Sequence, residues 1–207
     1  MMQPRPCSLV AVTACLVLTP PARGADGFPF VQPGLGVAVA LSDGTYQGYI
    51  DASFEFGASG GYLFALPGGE AFVGPEAIVS YTVHDVDDDY EDHLDADAYA
   101  GRFRLLGGAR FQVDLGGPYV FCRFAIGLDW SHASWEYRHL PGEDDESDAG
   151  LALQAGFGFG ARVSDSVAVG MILDFPMSIH DDAADGGADY DVDSLDVELT
   201  LAVTIFL

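Results

Sequence analysis

The stretch from Ser194 to Leu207, SLDVELTLAVTIFL, limits what this chain can fold into more than any other. Every second position is apolar: Leu195, Val197, Leu199, Leu201, Val203, Ile205 and Leu207. The residues between them are Asp196, Glu198, Thr200, Ala202, Thr204 and Phe206. A period of two over this length makes a β-strand with one apolar face and one mostly polar or small face. Such a face must be covered by a second protein layer or by lipid. The chain has no residues to spare for a second layer, which argues against a soluble acidic β-sandwich. The stretch is therefore read as the closing strand of a membrane β-barrel.

Seven earlier segments repeat the alternation: Gly34 to Ser42, Tyr49 to Leu66, Ala71 to Val83, Ala98 to Val113, Tyr119 to Trp135, Ala149 to Val163 and Val167 to His180. Pro75 lacks the N–H that a mid-strand ladder needs, so a bulge is expected there. Short turn signals stand at Asp43-Gly44, Pro67-Gly68-Gly69, Asp114 to Pro118 and Ser164-Asp165-Ser166. Acidic loops are expected over His84 to Asp97, Glu136 to Asp148 and Asp181 to Asp193, which together hold 20 of the 32 acids. Short turns on one rim and long polar loops on the other are the asymmetry of outer-membrane barrels. Each segment reaches roughly the 9–11 residues a membrane-spanning strand needs. The pattern predicts an all-β fold, an eight-stranded antiparallel up-and-down transmembrane β-barrel in the bacterial outer membrane.

The 207 residues show no composition shift that would divide them into two folded domains. A leader is expected over residues 1–25, with the barrel domain over 26–207. Arg5 provides a positive start, Cys7 to Leu18 an apolar core too short to span a bilayer, and Ala22-Arg23-Gly24 a small-residue cleavage site. Val12-Thr13-Ala14-Cys15 also fits a lipoprotein cleavage box, although apolar residues continue past that Cys. Cleavage near Gly24 leaves Cys122 as the one cysteine, so no intrachain disulfide forms. The formal charge is −24 and every basic residue is Arg. A surface so acidic excludes nucleic acid as a partner, because the phosphate backbone needs cations.

The charges carried by the segments fall on one parity. Arg102, Arg104, Arg110, Arg123 and Arg162 share the non-apolar face with Asp51, Glu55, Glu76, Asp129, Asp174, Asp196 and Glu198. An Arg facing lipid at mid-bilayer costs about 2–4 kcal/mol, so this parity must face the lumen. Eight strands enclose just enough space for side chains to fill. Lumen filling by paired charges is the expected role, and a gated path for protons or small ions is the alternative.

At this point the chain resembles the small eight-stranded outer-membrane barrels, the OmpA/OmpX-like outer membrane protein β-barrel domain group, over Gly34 to Leu207. Leu199, Leu201, Val203, Ile205 and Leu207 occupy the apolar positions of the assembly signal that ends such chains; Leu207 departs from the usual Phe or Trp. The resemblance implies lipid and lipopolysaccharide as surroundings, the barrel assembly machinery as a partner, and a monomer. Its members include structural barrels, adhesins, stress-resistance proteins and a few lipid-modifying enzymes, the lipid A deacylases. These deacylases resemble this chain in placing a His-x-Ser pair on the lipid-facing side. Here the candidates are His132 and Ser134, with Glu136 next in phase to orient the His. Trp135 and Glu136 stand where the deacylases usually have Asn. The competing reading is an interfacial belt of Trp130, His132 and Trp135.

Asp85, Asp87 and Asp89, and again Asp189, Asp191 and Asp193, place carboxylates at alternate positions, which suits divalent cations such as Ca²⁺. Neither run completes an EF-hand, and solvated, mutually repelling loops are the competing reading. No other cofactor is expected. The function expected from all this is a non-enzymatic integral barrel with an envelope-structural or surface-interaction role. The alternatives are a lipid A-modifying hydrolase and a narrow channel.

Overall fold

The structure, a computed structural model, describes residues 27–40, 50–86, 96–137, 143–179 and 192–207. The expected leader lies outside the described residues. Eight strands follow one another: β1 (Gly27–Ala40), β2 (Ile50–Ala65), β3 (Ala71–Val86), β4 (Ala96–Asp114), β5 (Pro118–Tyr137), β6 (Glu143–Arg162), β7 (Val167–Ile179) and β8 (Val192–Phe206). Each pairs antiparallel with the next, and β8 returns to β1, closing the barrel. The closing seam runs from Phe30 opposite Phe206 to Ala40 opposite Asp196. At the bottom of the seam the Leu207 amide donates to the Pro29 carbonyl at 3.0 Å. Closure removes both sheet edges, the only way a sheet can satisfy its backbone groups in hydrocarbon.

Burial is inverted relative to a soluble domain. Leu201 is 62% exposed, Phe54 56% and Phe124 57%, while Arg104 is 1% exposed and Arg110 and Glu198 are at 0%. Charged residues are almost never this buried unless paired. Continuous apolar rows on a closed exterior are stable only in lipid. The parity expected for Arg102, Arg104, Arg110 and Arg123 is the parity found, opposite to Leu105 and Phe124.

Short turns lie together at one rim, at residues 66–70, 115–117 and 163–166. In the second of these, Gly116 (φ 84°) and Gly117 (φ 147°) adopt backbone angles that disfavour any side chain, and the Gly116 amide donates to Asp114 Oδ1 at 3.0 Å. The other strand ends, at Ala40, Ile50, Val86, Ala96, Tyr137, Glu143, Ile179 and Val192, share the opposite rim; residues 41–49, 87–95, 138–142 and 180–191 lie outside the described residues.

Local expectations change at several points, the ends of the loop expected over His84 to Asp97 among them, since β3 runs on to Val86 and β4 starts at Ala96. β1 begins at Gly27 rather than Gly34, which adds Phe28, Phe30 and Gln32 to the interior. Pro75 forms no bulge: it stands opposite Ala109, and the register is the same on either side of it. Its missing N–H simply leaves a gap in one ladder. The register shifts instead at Ile50/Ala52 and at Ser178/Ile179. Finally, Glu143 to Asp148 are strand and not loop, paired with Glu136 to Ser131. Antiparallel backbone bonds continue past the apolar belt because they do not depend on side-chain hydropathy, so β5 and β6 both reach 20 residues.

Candidate functional site

The lumen is built in two tiers. Toward the loop rim, side chains from strands on opposite walls meet as ions. Arg102 on β4 donates from Nη1 to Asp196 Oδ2 on β8 at 2.8 Å, and its Nε lies 3.6 Å from Asp129 Oδ2. Arg104 Nη2 lies 2.6 Å from Glu198 Oε1 and 3.9 Å from Asp196 Oδ2. Ser178 donates to Asp129. Ser53 Oγ and His84 Nδ1 are 2.7 Å apart near the mouth.

Lower down, Arg123 on β5 reaches Asp174 on β7 with a two-pronged contact, through Nε to Oδ1 at 2.9 Å and through Nη2 to Oδ2. Such a planar fork is among the stronger polar contacts. Arg123 also donates to Glu76 Oε1 at 3.4 Å, and Arg110 Nη1 lies 3.6 Å from the same oxygen. Gly156 makes this possible: a Cβ there would sit 1.9 Å from Asp174 Oδ1.

Toward the turn rim the lumen becomes aromatic. Phe28, Phe30, Leu63, Phe72, Tyr119, Phe121 and Phe206 form one buried cluster. Phe28 packs edge-on against Phe206 at 5.3 Å and tilted against Phe72 at 5.0 Å. The Arg110 guanidinium lies over Phe121 at 3.5 Å and Phe30 at 4.7 Å, a pair of cation–π contacts. Its Nη1 donates to Gln32 Oε1 at 2.8 Å. Gln32 donates to Thr204 Oγ1 at 2.7 Å, and the Tyr119 hydroxyl meets the same oxygen at 2.7 Å. Arg162 sits at the rim, over Phe206 at 4.5 Å, donating to Asp114 Oδ2 at 2.9 Å.

Of the interior charges expected from parity, eleven have described side chains: Glu55, Glu76, Arg102, Arg104, Arg110, Arg123, Asp129, Asp174, Asp196 and Glu198 in the lumen, and Arg162 at its lower edge. Asp51 is on β2, with its side chain outside the described set. Asp87, Asp89, Asp189 and Asp191 lie outside the described residues; Asp85 and Asp193 are in strands, but their side chains are not described. Among the described residues no three His, Cys, Asp or Glu side chains gather as a metal site.

His132 is exposed on the exterior, with Ser134 two residues along the same strand and Trp130 53% exposed below it. Glu136 follows on β5, its side chain undescribed. In register, His132 faces Gly101 of β4 and Ser147 of β6; Ser134 faces Tyr99 and Asp145. The Tyr99 and Tyr81 hydroxyls are 2.6 Å apart above Gly101.

Sequence reading missed the aromatic tier. Its signal was the GFGFG run of β6, in which Gly158 and Gly160 face inward. A Cβ at Gly158 would lie 2.5 Å from Phe121 Cζ, and one at Gly160 2.4 Å from Tyr119 Cζ. These glycines are the space into which the β5 rings turn.

No protein-family model and no curated protein sequence matches the chain. Solved structures do match in fold. The attachment invasion locus protein Ail of Yersinia pestis superposes with a TM-score of 0.55 at 13% identity, covering 88% of this chain and 99% of that one. A major outer membrane protein of Thermus thermophilus does so with a TM-score of 0.52 at 11% identity, covering 85% and 99%. Ail in complex with the heparin analogue sucrose octasulfate gives 0.51 at 13% identity, covering 88% and 99%. The fold is that of the small eight-stranded outer-membrane β-barrels.

Proposed function

We propose that the protein is a non-enzymatic integral barrel of the bacterial outer membrane, with a structural or surface-interaction role carried by its acidic loop-rim segments. The observation behind this reading is a lumen crossed by Arg102–Asp196, Arg104–Glu198 and Arg123–Asp174 and stoppered by the Phe28–Phe121–Phe206 cluster. An interior spent on filling itself leaves the exterior and the loop rim to do the work. Its surroundings are outer-membrane lipid and lipopolysaccharide, with divalent cations bridging loop-rim carboxylates to anionic headgroups. The barrel assembly machinery reads the closing strand, and the folded chain stays a monomer. The overall charge of −24 favours cationic partners. It opposes the sulfated polyanion that Ail holds in its complex.

Membrane fractionation combined with a heat-modifiability gel tests the placement: the unboiled protein is expected in the outer membrane and to migrate anomalously. A soluble fraction would sink it. Planar-bilayer recording separates the closed barrel from a narrow channel, and silence is expected. The hydrolase reading keeps one observation in its favour, the exterior placement of His132 and Ser134 with Ser147 across the ladder. Mass spectrometry of lipid A from cells with and without the protein, and with Ser134→Ala, decides it; unchanged lipid A is expected.

A further inference from the structure

Among the described lumen residues, six carboxylates (Glu55, Glu76, Asp129, Asp174, Asp196 and Glu198) stand against four guanidiniums (Arg102, Arg104, Arg110 and Arg123). Five of the six have an Arg nitrogen within 3.6 Å. The sixth, Glu55, enters no ion pair among the described residues. Thr200 donates to its Oε2 at 3.4 Å, longer than the usual O–H···O bond of about 2.5–3.0 Å. A carboxylate this buried is costly unless a positive charge meets it. Glu55 opens onto a cavity of about 30 Å³ bordered also by Gln32, Ser59, Ser80, Arg123 and Thr200. The register makes this space. Gly34 on β1 pairs with Gly57 on β2, so two facing positions carry no side chain. Ser80 and Thr200 lean in over them: a Cβ at Gly57 would lie 2.9 Å from Ser80 Cβ, and one at Gly34 2.5 Å from Thr200 Cγ2. Gly36 stands between Glu55 and Thr200 in the ladders, and its bare backbone lets the two side chains meet across β1. Ser80 is 4% exposed, and its hydroxyl makes no hydrogen bond among the described residues.

From this geometry we propose that the cavity is a binding site for one small monovalent cation of the size of Na⁺. Its ligands are the Glu55 carboxylate and the hydroxyl oxygens of Ser59, Ser80 and Thr200, with water completing the shell; the space holds a water beside the ion. A hydroxyl that donates elsewhere keeps lone pairs for an ion. The spacing of Glu55 Oε2 and Thr200 Oγ1, long for a hydrogen bond, suits a shared ion. Oxygens held at right angles about 2.3–2.6 Å from one hard cation stand about 3.3–3.7 Å apart. The charge of the ion follows from the wall. One unpaired carboxylate offers one negative charge, and Arg123 borders the same space. A Ca²⁺ ion takes about six to eight oxygens, several of them from carboxylates, and would be repelled by that guanidinium. A single positive charge here breaks no existing pair: Arg123 keeps Asp174, and Arg104 keeps Glu198.

Equilibrium urea unfolding in zwitterionic liposomes, in NaCl against choline chloride at equal ionic strength, tests this. The two salts screen alike, and choline is too large for the cavity. The wild type is expected to unfold at a higher urea concentration in NaCl, with a midpoint that climbs as NaCl is raised, because the ion binds only the folded barrel. Glu55→Gln is expected to erase the difference between the salts. Equal wild-type midpoints overturn the proposal and leave the cavity to water. A difference that persists in Glu55→Gln overturns it too, since the ion is then held elsewhere, as by acids at the loop rim. Should Glu55→Gln fail to fold, Ser80→Ala decides, because it keeps the charge and removes one ligand. The NaCl concentration that gives half the gain must then rise several-fold, and an unchanged one refutes the site.

Discussion

The two ends of the lumen solve the same filling problem by different physics. The loop-rim end is held by ion pairs reaching from wall to wall, as from Arg102 on β4 to Asp196 on β8. The turn-rim end is held by rings, with Arg110 buried between Phe30 and Phe121. An ion pair links strands far apart at one height, but each member depends on the other. A ring cluster tolerates the loss of one polar contact and does not tolerate added volume. Strength against the loss of a charge and strength against crowding should therefore separate along the barrel axis.

The sharpest way to break the contrast is Glu198→Ala. It strands the fully buried Arg104 and is expected to cost about 3–5 kcal/mol, read as an earlier urea midpoint in liposomes. Replacing Arg104 and Glu198 together by Leu should recover most of the loss, since a buried pair and a well-packed apolar pair are often near-equal. A control on the lipid side, Leu201→Arg, is expected to cost about 2–4 kcal/mol by the same measurement, because that side chain points into hydrocarbon. Crowding the aromatic end with Gly158→Ala should cost about 1–3 kcal/mol, as Phe121 must give way. Tyr119→Phe removes one bond to Thr204 and should cost about 0.5–1.5 kcal/mol. Smallest of all, Asp114→Ala at the part-buried rim pair with Arg162 is expected to move the midpoint by less than about 1 kcal/mol. Should Gly158→Ala prove harmless while Asp114→Ala unfolds the barrel, the division into an ionic tier and a packed tier fails.

Legibility followed the range of the interaction. Strand number, strand order and the inward parity of Arg102, Arg104, Arg110 and Arg123 were readable because alternation and the cost of charge in lipid act residue by residue. The extent of β1 was not, because Pro29, Pro33 and the small residues around them weaken the alternation before Gly34. The strand character of Glu143 to Asp148 was hidden for the opposite reason: acidic residues read as loop, while the ladder with β5 holds them extended. His132 and Ser134 were placed on the exterior by parity, but Ser147 across from His132 could be seen only through the register.

Period-two patterning thus settled which way the residues of the alternating segments face, since a single residue's hydropathy decides between lipid and lumen. Which inward residue meets which waited for closure. Arg102 finds Asp196 across 94 positions, and Tyr119 finds Thr204 across 85. Those encounters depend on how far neighbouring strands are staggered around the ring, a property of all eight ladders together.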